Sequence, residues 1–364
     1  MRKIINPILR GFNPDPSILR VEDDYYIVTS TFEWFPGYQI HHSKDLISWQ
    51  LINRPLNKLS LLDLKGVPDS CGVWAPCLSH HNGIFYLLYT NVKSFNGVWK
   101  DTPNYVVTAI NINGPWSEPV FLNASGFDPS LFHDEDGKSY LMNMLVDHRG
   151  GKFFGGIILQ EFDKLSKKLV GKIHYIFKGT EHGCTEGPHL YKRNNYYYLM
   201  TAEGGTGYGH CITLARSKSI YGSYEVHPEN PIITSKYDES NYLQKTGHGD
   251  LVQTQEGEWF AVFLTGRPLT TLGRCITGRE TAIEKVTGQK PVGWRGPGFS
   301  FSQESLRFLA ENGYQYDGSI FPSCTGPLAR FYYFATSSLN REERDQRSNL
   351  YGSWKDAFRP LKPF

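Results

Sequence analysis

The chain has 364 residues, 40% of them hydrophobic and 20% charged, with a formal net charge of +2. That balance suits a folded protein and carries no basic footprint for nucleic acid or an anionic membrane. No apolar run reaches the ~18 residues of a membrane-spanning helix, and the length allows two or three domains or one large β architecture.

The first recognisable element begins at "NPDPSILRVEDDYYIVTS". An aspartate, Asp15, sits between two prolines; a short apolar strand, the polar turn "EDD" and an aromatic strand follow. The same plan returns at Val73 as "VWAPCLSHHNGIFYLLYTN" and at Gly126 as "GFDPSLFHDEDGKSYLMNM". It returns again at Cys184 as "CTEGPHLYKRNNYYYLMTA" and at Lys245 as "KTGHGDLVQTQEGEWFAVFLT". Aligning Ile18, Leu78, Leu131, Leu190 and Leu251 gives spacings of 60, 53, 59 and 61 residues. The turn cues "EDD", "HNG", "EDG", "RNN" and "EGE" fall where hairpins need them.

The linking segments echo one another. "HHSKDLISWQLINRPL" from His41 resembles "LARSKSIYGSYEVHPENPI" from Leu214, and "GPWSEPVFL" from Gly114 is a shorter cousin. Each unit therefore reads as about four short strands. Five such units describe an all-β, five-bladed β-propeller over residues 1–290. The competing arrangement is a sandwich of unrelated hairpins.

In a propeller the first residues of the five copies converge on a central cavity. Copy one brings Asp15, copy two Trp74, copy three Asp128, copy four Glu186 and copy five His248. Carboxyls gathered in one cavity repel, and at least one then keeps its proton toward neutral pH. That is what a glycosidase asks of its general acid, while a second, ionised carboxyl attacks or activates water. Each residue also has a plainer reading. Asp before Pro is common turn chemistry, His248 can be a packed histidine, and Trp74 can be core between blades. Two "DPS" copies and "TEGPH" at equivalent places weigh against the turn reading.

The remaining composition adds context. Aromatic residues make up 14%, with 22 Tyr, 22 Phe and 8 Trp. Most suit strand cores, and exposed rings also suit the apolar faces of sugars. The six cysteines, Cys71, Cys77, Cys184, Cys211, Cys275 and Cys324, form no CxxC pair, which argues against structural zinc. The opening "MRKIINPILRGFNPDPS" has no signal-peptide core, so a cytoplasmic protein with reduced thiols is expected.

The chain resembles glycoside hydrolase family 43, in its bacterial β-xylosidase branch. The resemblance rests on "GFNPDPSI", "YYIVTSTFEWFPG", "IHHSKDL", "GVWAPCLS", "GFDPSLFHD", "TEGPHLY", "YYLMTAEGGT" and "GRETAI". It implies a five-bladed propeller and an inverting hydrolase that removes xylose from the non-reducing end of β-1,4-xylo-oligosaccharides. It implies Asp15 as general base, Glu186 as general acid, and Asp128 as the group that tunes and holds the acid. Arg279 is implied to reach substrate hydroxyls and His248 to lie in the pocket. Phe32, Phe35 and Trp74 are implied to wall the sugar site. No metal is expected, although arabinanase relatives use a histidine at this place to help hold a central calcium. Alternatives are an α-L-arabinofuranosidase or dual activity, and, from another class, an inactive sugar-binding remnant. Oligomeric state is not legible.

The remnant alternative comes from residues 291–364. Val and Ile together number 36 in residues 1–290 and only 2 after them, so the tail is a poor strand former. "GWRGPGFSFSQES" and "NREERDQRSNLYGSWKDAFRPLKPF" read as linker or disorder. In the branch a β-sandwich that caps the pocket ordinarily stands here. The tail is expected to be an atypical end, or an out-of-frame remnant of that sandwich.

Overall fold

Strand pairing follows from the hairpin cues. The computed structural model describes residues 4–95, 100–149 and 153–286, together with the backbone of 293–294 and 316–317. Blade one holds β1 (Ser17–Val21), β2 (Asp24–Thr29), β3 (Gln39–Ser43) and β4 (Gln50–Asn53). Blade two holds β5 (Gly72–Val73), β6 (Cys77–His81), β7 (Ile84–Val92), β8 (Asn104–Ala109) and β9 (Val120–Asn123). Blade three holds β10 (Ser130–His133), β11 (Ser139–Val146), β12 (Phe154–Asp163) and β13 (Lys168–Phe177). Blade four holds β14 (Glu186–Arg193), β15 (Tyr196–Glu203), β16 (Cys211–Ser217), β17 (Glu225–Val226) and β18 (Ile233–Thr234). Blade five holds β19 (Gln244–Gln253), β20 (Trp259–Gly266) and β21 (Glu280–Val286). Every pairing within the blades is antiparallel.

The aligned residues of the five copies occupy equivalent rungs. Ile18 faces Ile27, Leu78 faces Leu87, Leu131 faces Leu141, Leu190 faces Leu199 and Leu251 faces Ala261. At the tip of two hairpins both turn residues are left-handed, as a tight two-residue turn requires: Asn82–Gly83 and Asn194–Asn195. The inner strands close a ring: β1 lies beside β6, β6 beside β10, β10 beside β14, β14 beside β19, and β19 beside β1. The expected five-bladed propeller is the fold.

Apolar burial holds the ring together. Five clusters of buried side chains stand one at each junction between neighbouring blades. Leu87, Ile27 and Met142, each fully buried, belong to three of them. Truncating such a leucine to alanine costs about 2–5 kcal/mol.

Blade five departs from the four-strand expectation. Its outer edge is taken by the N-terminal segment, where Leu9 and Thr281 exchange backbone hydrogen bonds of 3.2 Å in both directions. The Asn6 amide mimics a further rung, donating to the Ile283 carbonyl and accepting from its N–H, both at 2.9 Å. The first residues of the chain thereby satisfy an edge that would otherwise be open.

The contacts divide the chain into Met1–Val286 and Thr287–Phe364. In the second unit, Gly293–Trp294 pairs in parallel with Tyr316–Asp317. The expectations for the rest of residues 291–364 lie outside the described residues.

Candidate active site

The three carboxyls sit where inner strands begin. Asp15 and Asp128 each precede their strand by two residues, and Glu186 opens β14. Asp15 and Asp128 adopt left-handed backbones, with φ of 53° and 55°. Aspartate tolerates that region better than most residues, and such conformations gather at functional sites. The prolines beside Asp15 act with hydrogen bonds to hold it. The Pro14 carbonyl accepts from the Ser30 N–H at 3.0 Å, and the Ser30 hydroxyl donates to Asp15 Oδ2 at 2.9 Å. Arg279 Nη1 lies 3.6 Å from Asp15 Oδ1.

Glu186, Asp128 and Asp15 line one cavity of about 330 Å³. The cavity also takes Phe32, Trp74, His248 and Arg279, as expected. Burial raises the Glu186 carboxyl to about 8, and the charge of Asp15 adds to the rise while Arg279 opposes it. Asp128 is also held well above the ordinary carboxyl range, first by burial and then by Glu186 and Asp15. The neighbouring charge that adds to the rise of Glu186 is that of Asp15. Asp128 Oδ2 accepts from the Gly187 N–H at 3.0 Å and so fixes the residue next to Glu186.

Gly187 has to be glycine. Its φ is +55°, and a Cβ there would stand 2.9 Å from His248 Cε1. The His248 ring therefore packs on the backbone beside the acid, with Nδ1 4.0 Å from Asp128 Oδ2. Burial lowers His248 to about 4, so it faces the cavity as a neutral imidazole.

One wall is aromatic. Trp74 meets Phe95 and Phe127 edge-on, with centroids 4.7 and 5.0 Å away. Its indole N–H donates to the Ser70 carbonyl at 2.9 Å, and Tyr38 donates to the Trp74 carbonyl at 2.8 Å. The Arg279 guanidinium lies 5.3 Å from the Phe32 ring centre. Phe95, Phe127 and Phe154 line the cavity and were not anticipated, nor were Gly205 and Thr206. Phe127 was within reach, since it precedes Asp128 in "GFDPS"; Phe95 and Phe154 lie outside the repeated phrase.

Phe35 stands apart from the other expected wall residues. It does not line the cavity and is 49% exposed. After Phe32 the chain turns, with the Trp34 N–H bonded to the Thr31 carbonyl and Gly37 paired to Leu56. Among the described residues, no three His, Cys, Asp or Glu side chains are grouped to hold a metal ion.

Many known proteins are similar to this chain. Over 79% of its length the chain is 61% identical to "Xylosidase/arabinosidase 43B" of Humicola insolens, covering 53% of that protein. It is 59% identical to a "Beta-xylosidase" of Bacillus subtilis (strain 168), covering 78% of this chain and 55% of the relative. The crystal structure of a xylan β-1,4-xylosidase from Bacillus halodurans C-125 superposes with a TM-score of 0.78 at 58% identity, over 79% of this chain and 55% of that one. The chain thus spans about half the length of the curated relatives it matches. The family model for glycosyl hydrolases family 43 matches residues 4–294, and the chain belongs to that family.

Proposed function

We propose that the protein is an inverting β-xylosidase that releases xylose from the non-reducing end of β-1,4-xylo-oligosaccharides. The observation that carries this reading is the inequality of the carboxyls in one cavity. Glu186 is raised to about 8 by burial and by Asp15, whereas Asp15 faces the Arg279 guanidinium at 3.6 Å. Glu186 then donates a proton to the leaving oxygen. Asp15, held by Ser30 and Arg279, takes a proton from the water that attacks the opposite face of the sugar. Asp128 keeps the Glu186 backbone in place through Gly187. The neutral imidazole of His248 and the guanidinium of Arg279 offer hydrogen bonds to sugar hydroxyls. The rings of Trp74, Phe32 and Phe127 stack against its apolar surface. The five described cysteines are free thiols, in keeping with the cytoplasmic setting we assign.

A dual or α-L-arabinofuranosidase activity is the second reading, and the name of the Humicola insolens relative favours it. Purified full-length protein is assayed on aryl β-xyloside and aryl α-L-arabinofuranoside, with early turnover followed by NMR. The proposal expects faster cleavage of the xyloside and α-xylose as the first product. A faster arabinofuranoside reaction reverses the preference. Initial β-xylose rules out Asp15 as a base, and a folded protein inert on both substrates favours the sugar-binding remnant.

A further inference from the structure

Beyond the catalytic cavity, and separated from it by Thr206 and Arg279, lies a second cleft of about 410 Å³. It opens where β20 ends and the chain runs on toward β21. Among the described residues, three cations line it, Lys245, Arg274 and Arg279, and no carboxylate does. Arg279 is shared with Asp15 at 3.6 Å. Glu280, next along the chain, is fully buried and taken by Arg267 through contacts of 2.6 and 2.9 Å. Among the described residues, Lys245 and Arg274 make no ion pair.

Like charges left to themselves swing apart into water. Here Tyr208 ties Lys245 to the loop that carries Arg274. Its ring centre lies 4.9 Å from Lys245 Nζ, and its hydroxyl donates to the carbonyl of Gly273, beside Arg274, at 2.7 Å. The loop is tightened further by the Gly273 N–H donating to the Thr270 carbonyl at 2.8 Å and the Leu269 N–H donating to the Arg274 carbonyl at 3.2 Å. On the strand side, Gly266 lets Cys275 come close; a Cβ there would be 2.8 Å from its sulfur. Tyr208 thus links Lys245 to the backbone beside Arg274, and among the described residues neither cation has a counter-charge. Charge-assisted hydrogen bonds to a small oxyanion would supply the missing partner.

The geometry points to an anion-binding subsite: the Lys245/Arg274 cleft takes a small oxyanion, the carboxylate of a sugar acid or inorganic phosphate. This goes beyond the proposed hydrolysis and is tested by equilibrium binding, without turnover. Calorimetric titrations of the full chain use D-glucuronate, inorganic phosphate and uncharged D-xylose at one ionic strength. The variants are Lys245→Asn, chosen because Asn accepts the left-handed φ of 56° at that position, Arg274→Gln, and the pair together.

The parent protein is expected to bind at least one anion, and the double variant to bind it about tenfold more weakly. Xylose binding and the melting temperature stay as in the parent. Tighter glucuronate names the sugar acid as the ligand, and tighter phosphate names the free ion. The subsite is overturned if neither anion binds, or if the double variant binds both as the parent does. Anion binding without xylose binding leaves the cleft standing and removes support from the sugar cavity instead.

Discussion

Replacing Glu186 with Gln should stabilise the protein while abolishing its acid. An ordinary glutamate titrates near 4.5, and the folded Glu186 is raised to about 8. Below 4.5 both folded and unfolded chains carry the proton, and no penalty exists. Between 4.5 and 8 the unfolded chain has released a proton that the fold retains, so stability falls by about 1.4 kcal/mol per pH unit. At pH 7 the accumulated cost is about 3 kcal/mol. Gln has nearly the same shape and never ionises, so it escapes that cost. For a propeller of this size the gain is roughly 4–6 °C in Tm. Calorimetric melts of parent and Glu186→Gln protein, taken from pH 4.5 to 8.5, measure it. The difference should be small at the acid end, grow through neutrality and level off above about pH 8. A difference that does not change with pH refutes the argument, as does a variant that melts below the parent at pH 8.

Three further outcomes follow from the same geometry. Glu186→Ala should lower kcat/KM strongly for unactivated xylobiose and far less for an aryl xyloside whose leaving group needs no proton, so equal losses would remove Glu186 from the acid role. Asp128→Ala removes the acceptor of the Gly187 N–H and should lower kcat more than it raises KM; unchanged steady-state kinetics in a folded variant would remove Asp128 from holding the acid. Gly187→Ala forces a Cβ to 2.9 Å from the His248 ring at a φ of +55°. It should cost about 1–3 kcal/mol in stability and depress kcat more than it raises KM, which melts and steady-state kinetics report.

The repeat was legible because each copy carries its own hairpin: the residues that align in sequence, Ile18 to Leu251, are those that occupy equivalent rungs. The same alignment placed Asp15, Asp128 and Glu186 at the mouths of their strands. Arg279 could not be found that way, since it stands between β20 and β21 rather than at the start of a copy; only the family resemblance pointed to it. The outer edge of blade five was also hidden, because its partner, Leu9, lies at the opposite end of the chain. Side-chain type says nothing about which side of a turn a residue takes, so Phe35 was assigned to the pocket and Phe95 and Phe154 were passed over.

The ionisation of Asp128 was illegible for a different reason. Its spacing put it beside Glu186, but its charge state depends on how completely three carboxyls are removed from water, a property of the closed ring of blades. Backbone strain tells the same story. Asp15, Phe32, Asp128 and His248 all have positive φ and all line the cavity. Local propensity argues against each of these conformations, and the surrounding hydrogen bonds and packing impose them together. A site that needs unfavourable backbones and mutually repelling acids can exist only because the blade junctions stabilise the ring more than the site strains it. The Glu186→Gln melts measure part of that strain directly.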